Sequence, residues 1–300
     1  MIKKTASYFG ITQQRLHALL QWKTLDLKYK YLSYGQLLSN FYKNRNAAYN
    51  VFSLSDLRSR KKSDTLFILG CNRNINDIPD SIWSEMGNFD SLGFNYWIYH
   101  KFVPTYYSLE YGQNKHIHEF HKQLIRNRAA DYKNTIFLVS TRARRRGMTP
   151  RLIPDYFPPN PNVAYFLYPM IANNSESKPF TPEDFQKTML FRGSLNVYLY
   201  FARLMGFKKI ILVGCEMDSS VAFYEDYPEA QWMFNIDGFI KPKEERAKIL
   251  YGGAYSVHGK HSVVNIILAI NEFVFKPEGI KLYVFNKKSL LYPKVPLFEF

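Results

Sequence analysis

Cysteine is scarce in this chain: Cys71 and Cys215 are the two in 300 residues. Two thiols exclude a disulfide framework, and each sits just after an inner strand, where a small buried side chain is expected. No apolar run approaches the roughly 20 residues that span a bilayer. The opening MIKKTASYFG has lysines but no apolar core of a signal peptide. These absences give the expectation of a reducing, cytoplasmic location. Proline is missing before Pro79, and only Gly10 and Gly35 interrupt the first sixty residues. Ile11, Leu16, Leu19, Leu20 and Leu27 recur there at spacings near three and four, which predicts helix. Acid is also scarce there. Twelve basic residues in 1–62 face only Asp26 and Asp56, so this segment carries an excess of ten charges out of the net +15. Such a segment attracts phosphates, on nucleic acid or on anionic lipid, or forms a solvated helical face.

What is present is an ordinary globular balance, 46% apolar and 22% charged, with a high aromatic share of 17%. After the charged connector RSRKKSD (58–64) the texture becomes alternating strand and helix. Strands are predicted at 66–69, 91–95, 106–109, 135–139, 209–213 and 281–285. Helices are predicted at 79–86, 114–132, from Thr181-Pro182, at 194–205 with Gly206 as stop, and at 262–275. The expected fold is α/β and Rossmann-like: a mainly parallel sheet with helices on both faces. Residues 63–300 form the catalytic domain in this reading. Residues 1–62 are a basic helical N-terminal extension, and 219–257 a lid. The Pro- and Asn-rich stretch 142–177, with its basic cluster RARRRG, reads as irregular.

In a sheet of this kind the ligand lies beyond the carboxyl ends of the strands. That rule selects Gly70-Cys71-Asn72-Arg73-Asn74, Asn95, 108–110, 140–141 and Gly214-Cys215-Glu216-Met217-Asp218. The first of these ends LFILGCNRN, which is neither a Walker loop nor a dinucleotide fingerprint. Gly70 and Gly214 permit close backbone approach, and amides with backbone N–H groups suit a nucleotide. Glu216 and Asp218 have the chemistry of acids or bases. Ser194 opens a helix after Arg192-Gly193, a natural anion site. His258 in HGKHS lies in a loop before a helix and is a candidate base near neutral pH, with a capping or surface role as the plainer reading. HIHEFH (116–121) reads as a solvated helix face, and no metal site is expected.

Five blocks carry a family likeness: LFILGCNRNINDI, SLGFNYW, RGSLNVYLYFARLMGFKKIILVGCEMD, YSVHGKHSVVNIILAINEF and GIKLYVFNKKSLL. In order and spacing they resemble the bacterial sialyltransferases of glycosyltransferase family 42 and the broader pterin-pyrophosphokinase-like group. The resemblance implies transfer of sialic acid, or a related nonulosonate or Kdo, from a CMP donor to a bacterial surface glycan, without metal or cofactor. It implies that Gly70, Asn72, Asn74 and Asn95 hold the nucleotide and that Ser194 faces the donor. It implies His258 as general base, Glu216 as the acid after the glycine-ended strand, where the family has Asp, and Tyr224 and Tyr255 as the nearest matches to the lid tyrosines. Gly214 and Asp218 complete the site. The first turn departs from the family's Gly-Asn-Gly-Pro-Ser-Leu, and Arg73 puts a charge there. Expected partners are the CMP-sugar, a glycan or glycolipid acceptor, and an anionic inner-membrane surface met by the N-terminal region; a homo-oligomer is compatible with the sequence. The other readings are an ATP- and magnesium-dependent pterin pyrophosphokinase and a non-catalytic binder of nucleic acid or membrane.

Overall fold

Leu66, Phe67, Ile68 and Leu69 are fully buried because the strand they form is covered on both faces. The computed structural model describes residues 50–108, 122–143, 161–169, 193–218, 221–228, 230 and 262–300. Through these the chain runs β1 (Asn50–Phe52), α1 (Leu54–Ser59), β2 (Thr65–Leu69), α2 (Asp80–Met86), β3 (Asp90–Phe94), β4 (Tyr106–Ser108), β5 (Ile136–Ala143), β6 (Asn162–Pro169), α3 (Ser194–Met205), β7 (Lys209–Val213), α4 (Val263–Ile270) and β8 (Lys281–Val284). The eight strands make one sheet in the order β1-β6-β5-β4-β3-β2-β7-β8, and every pairing is parallel. The expected α/β, Rossmann-like class is the one observed.

The period of two along each strand splits the core. Leu66, Ile68, Ile210 and Leu212 point to one face, with α3 and α4. Phe67, Leu69, Ile211 and Val213 point to the other, with Trp83 and Met86 of α2 and Ile125 of the helical segment 122–127. Helix α3 reads as amphipathic, yet it is buried at every position from Leu195 to Ala202 and again at Leu204 and Met205. A helix apolar on all sides belongs inside a layer. Gly206, at φ 77, ends it by letting the Phe207 N–H reach the Ala202 carbonyl at 3.1 Å.

Two strands lie where none was predicted. β1 interrupts the stretch read as helical, and pairs with β6. Ser53 then starts α1 by a reciprocal cap: its Oγ accepts from the Asp56 N–H at 3.2 Å, and its own N–H donates to Asp56 Oδ2 at 2.8 Å. β6 falls inside the stretch read as irregular, where flanking prolines hide a run of β-forming residues, Val163 to Tyr168. β5 likewise runs on to Ala143 and takes in the first residues of the basic cluster. The far edge, β8, is covered in part by the chain itself. The Val284 N–H donates to the Pro296 carbonyl at 3.0 Å and the Phe298 N–H to the Val284 carbonyl at 2.8 Å. Residues 1–49 of the extension, most of the helix at 114–132, HIHEFH, the bulk of RARRRG and the start at Thr181 lie outside the described residues.

Candidate functional site

From β2 the chain winds outward through β3, β4, β5 and β6, then returns to place β7 against the other side of β2. The strand order reverses there, so the crevice of a doubly wound sheet opens at the carboxyl ends of β2 and β7. The two ends meet closely. A Cβ at Gly70 would stand 2.2 Å from the Gly214 carbonyl oxygen, and one at Gly214, whose φ is +65°, would stand 2.5 Å from Ile75 Cδ1. Both glycines are required by this mutual approach. Gly70, Asn72, Asn74, Gly214, Glu216 and Asp218 are thus brought together.

The polar end of LFILGCNRN holds its own neighbours. The N–H groups of Gly70, Asn72 and Arg73 donate to the carbonyls of Val213, Gly214 and Val221. The Asn74 N–H donates to Asn72 Oδ1 at 3.0 Å, which caps a 3-10 turn at Arg73–Asp77. Asn72 Nδ2 donates to Asp218 Oδ1 at 2.8 Å. Asn72 is therefore a positioning group for Asp218. The turn offers a ligand side chains rather than an open row of backbone N–H groups.

The described start of the lid stretch belongs to the same construction. Residues 221–227 run against the turn, with an isolated antiparallel bridge between Asn72 and Ala222. The Phe223 N–H donates to the Cys71 carbonyl at 2.9 Å, and Asn76 Nδ2 to the Phe223 carbonyl at 3.0 Å. Arg73 and Asp226 pair at 2.9 Å, but both are largely exposed and such a pair contributes under about 1 kcal/mol. The anchor is apolar: Phe223 is fully buried, and Tyr224, 8% exposed, packs on Tyr96 at 5.1 Å and Tyr99 at 5.6 Å between ring centroids. Tyr224 is a wall of the site, not a loose flap. Residues 229 and 231–257, with Tyr255, lie outside the described residues, as do His258 and His261.

Asn95 ends β3 in the left-handed region, at φ 53, and its carbonyl accepts from the Tyr107 hydroxyl. The 3-10 turn it opens, Asn95–Tyr99, is closed by Arg128, whose guanidinium donates to the carbonyls of Ile98 at 2.7 Å and His100 at 2.5 Å. Ser194 is the first residue of α3 after Gly193, and a Cβ on Gly193 would stand 3.9 Å from Val263 Cγ2. The starts of α3 and α4 therefore lie side by side. Ser262 caps α4 by accepting from the Asn265 N–H at 3.1 Å.

Glu216 is the most unusual group. It is 3% exposed, and its Oε2 has no hydrogen-bond partner among the described residues. Burial raises its carboxyl to about 7, the backbone N–H groups of Glu216 and Gly214 pull against that, and Asp218 adds to it. Burial also raises the thiols of Cys71 and Cys215, which stay protonated. Among the described residues no cluster of three His, Cys, Asp or Glu can hold a metal ion.

Lys288 is the residue that strand-end reasoning missed. It follows β8, and its Nζ donates to Asn74 Oδ1 at 3.2 Å across the crevice. Its loop is fixed to the site, because the Leu290 N–H donates to the Glu216 carbonyl at 3.0 Å. The same rule of strand ends, applied to β8, finds it. No protein-family model matches the chain, and no curated protein matches it.

Proposed function

We propose that this chain is a glycosyltransferase that takes sialic acid, or a related keto-sugar acid, from a CMP donor and passes it to a bacterial surface glycan. The observation that carries the reading is the switch-point crevice between β2 and β7, rimmed by Asn74, Asp218 and Lys288 and flanked by Asn95. Amide groups suit the hydrogen-bonding edges of cytosine and ribose, and a lysine suits a phosphate. The order of the five sequence blocks that resemble family-42 sialyltransferases supports the same donor.

In this reading the departing group is CMP, and the reaction needs three contributions. A base takes the proton from the acceptor hydroxyl as it attacks the anomeric carbon. Polar groups stabilise the phosphate as the glycosidic bond breaks. A cover keeps water from competing. His258 is assigned as the base. His258 precedes α4 in the sequence, and the start of α4 lies beside the start of α3 and Ser194, which supports the assignment. Asn95 and Asn74 are assigned to the nucleotide, Tyr224 to a fixed wall of the site and Tyr255 to the cover. The basic region 1–62 is assigned to an anionic membrane surface, where a lipid-linked acceptor would reside. Among the described residues no helix is long and apolar enough to cross a membrane.

Calorimetric titration of CMP with and without EDTA tests the donor assignment, with equal binding expected in both. A strict magnesium requirement would turn the reading to a pterin pyrophosphokinase. His258→Ala is expected to lose about 10²–10⁴-fold in turnover with CMP affinity nearly unchanged. Wild-type turnover in that variant would remove the base assignment. Sedimentation with anionic vesicles should fall as salt rises; equal binding to neutral vesicles would remove the membrane role.

A further inference from the structure

The ligand edge contains one buried acid with a spare oxygen and one exposed base with a weak partner, and the same loop joins them. Glu216 Oε2 lies inside the fold with no hydrogen-bond partner among the described residues. A buried carboxylate in that position would be ionised beside Asp218, whose own Oδ1 is engaged by Asn72. The favoured form is the neutral acid. The charged groups that act on Glu216 are Asp218 from its own strand end and Lys288 from the loop after β8, with the protonated Cys215 beside it.

Lys288 is held in place by its backbone rather than by its charge. Its N–H donates to Asn286 Oδ1 at 2.9 Å, and the next turn is pinned by the Leu290 bond to the Glu216 carbonyl. Ser289, Leu291 and Val295 are buried, which fixes the loop, while Lys288 itself is exposed. Its ammonium has one uncharged partner, Asn74 Oδ1 at 3.2 Å. An anion is a stronger acceptor than an amide oxygen, so exchanging Asn74 for a phosphate oxygen is favourable and frees Asn74 for the rest of the ligand.

We propose that Lys288 binds a phosphate of the ligand as its counter-charge and that Glu216, buried behind it and tied to the same loop through the Leu290 N–H, controls that binding by its own charge. This deepens the nucleotide reading and rests on it only for the crevice being the ligand site. Ionised Glu216 would repel the phosphate and compete for the charge of Lys288, so binding weakens as pH rises past about 7. Asp218 tempers the site by holding a negative charge nearby, which favours a phosphate of low charge, such as the singly charged phosphodiester of a nucleotide-sugar.

The test is calorimetry on the full chain with methyl phosphodiesters of cytidine and of adenosine, whose phosphate keeps one charge throughout, at pH values about 1.5 units either side of 7. Wild-type affinity is expected to fall about tenfold across that interval. Glu216→Gln stays uncharged at both pH values and should flatten the dependence to within about twofold, while Lys288→Ala should lose about tenfold or more at both pH values and Lys288→Arg should recover most of it. Circular dichroism melts confirm that each variant is folded. Wild-type affinity in Lys288→Ala, or an unchanged pH slope in Glu216→Gln, overturns the proposal. Binding of the adenosine diester alone, with the same dependence on both residues, would remove the cytidine donor and leave the phosphate site standing. Tight binding of the cytidine diester in both variants would do the reverse, and binding of neither overturns both.

Discussion

His100 and Glu216 are enclosed to nearly the same degree, 4% and 3% exposed, and the fold treats them in opposite ways. His100 sits in an aromatic box. Its ring lies 4.6 Å from both Trp83 and Trp97 and meets Phe223 edge-on, and its Nδ1 accepts the Phe102 N–H at 3.1 Å. Burial, helped by Lys101 and Arg128, lowers it to about 4, so the ring is neutral and serves as a packed, hydrogen-bonded part of the core. Glu216 is raised to about 7 by burial and is left with an oxygen that none of the described residues satisfies. A buried polar group costs free energy unless it is paired. The box encloses His100 in aromatic rings and pairs its Nδ1 internally, and so reads as structure. The crevice leaves its pairing open and so reads as a site.

The two groups also set opposite pH slopes. His100 is depressed, so its contribution is present above the unfolded value of 6.5 and lost as pH falls from there to about 4. Glu216 is raised, so its contribution is present below the unfolded value of 4.5 and lost as pH rises from there through about 7. Each change amounts to roughly 3 kcal/mol at full extent. Between 4.5 and 6.5 the two oppose each other, and stability from this pair should be nearly flat.

Substitutions at three positions break or sharpen this contrast. The largest effect is expected from His100→Ala, which leaves a cavity between two tryptophans and should cost roughly 3 kcal/mol in urea unfolding at neutral pH. A loss below about 1 kcal/mol would mean that the box is not structural. Next, Glu216→Gln should gain about 2 kcal/mol above pH 8, because no buried carboxylate has to ionise, and little below pH 4.5, where the acid is neutral in both states. Equal effects at the two pH values would show that the group titrates normally. The smallest effect belongs to Asn95, at φ 53. Asn95→Ala should cost about 1 kcal/mol through left-handed strain, while Asn95→Gly should stay within a few tenths. Equal stability in the two variants would show that the left-handed turn is not what asparagine supplies. The glycine variant is also the one to use in ligand titrations, because it removes the amide without adding strain.

The sequence carried the centre of the sheet better than its margins. β2 and β7 are continuous apolar runs that end in glycine, and α3 is a long apolar segment with a glycine stop, so local pattern and burial agree. β1 is a three-residue strand whose partner lies far along the chain, and no local period marks it. β6 is hidden because Pro161 and Pro169 bracket it, and proline density reads as loop. For the site, the rule of strand ends found Asn72, Asn95, Glu216 and Asp218, since polar residues after apolar runs are visible in one dimension. It could not show that Asn72 spends its amide on Asn74 and Asp218, or that Lys288 reaches back to Asn74, because both are products of long-range packing.

The Asn72–Asp218 bond joins positions 146 residues apart in the chain. β2 must wait for β7 before the crevice has a second wall, and strands joined over such distances form slowly, because loop closure precedes any reward from contact. The winding from β2 to β6 can assemble from neighbouring units, but the ligand edge cannot. A site at this edge therefore depends on a pairing between strands far apart in the chain. In refolding, a probe that reports binding should lag behind one that reports helix.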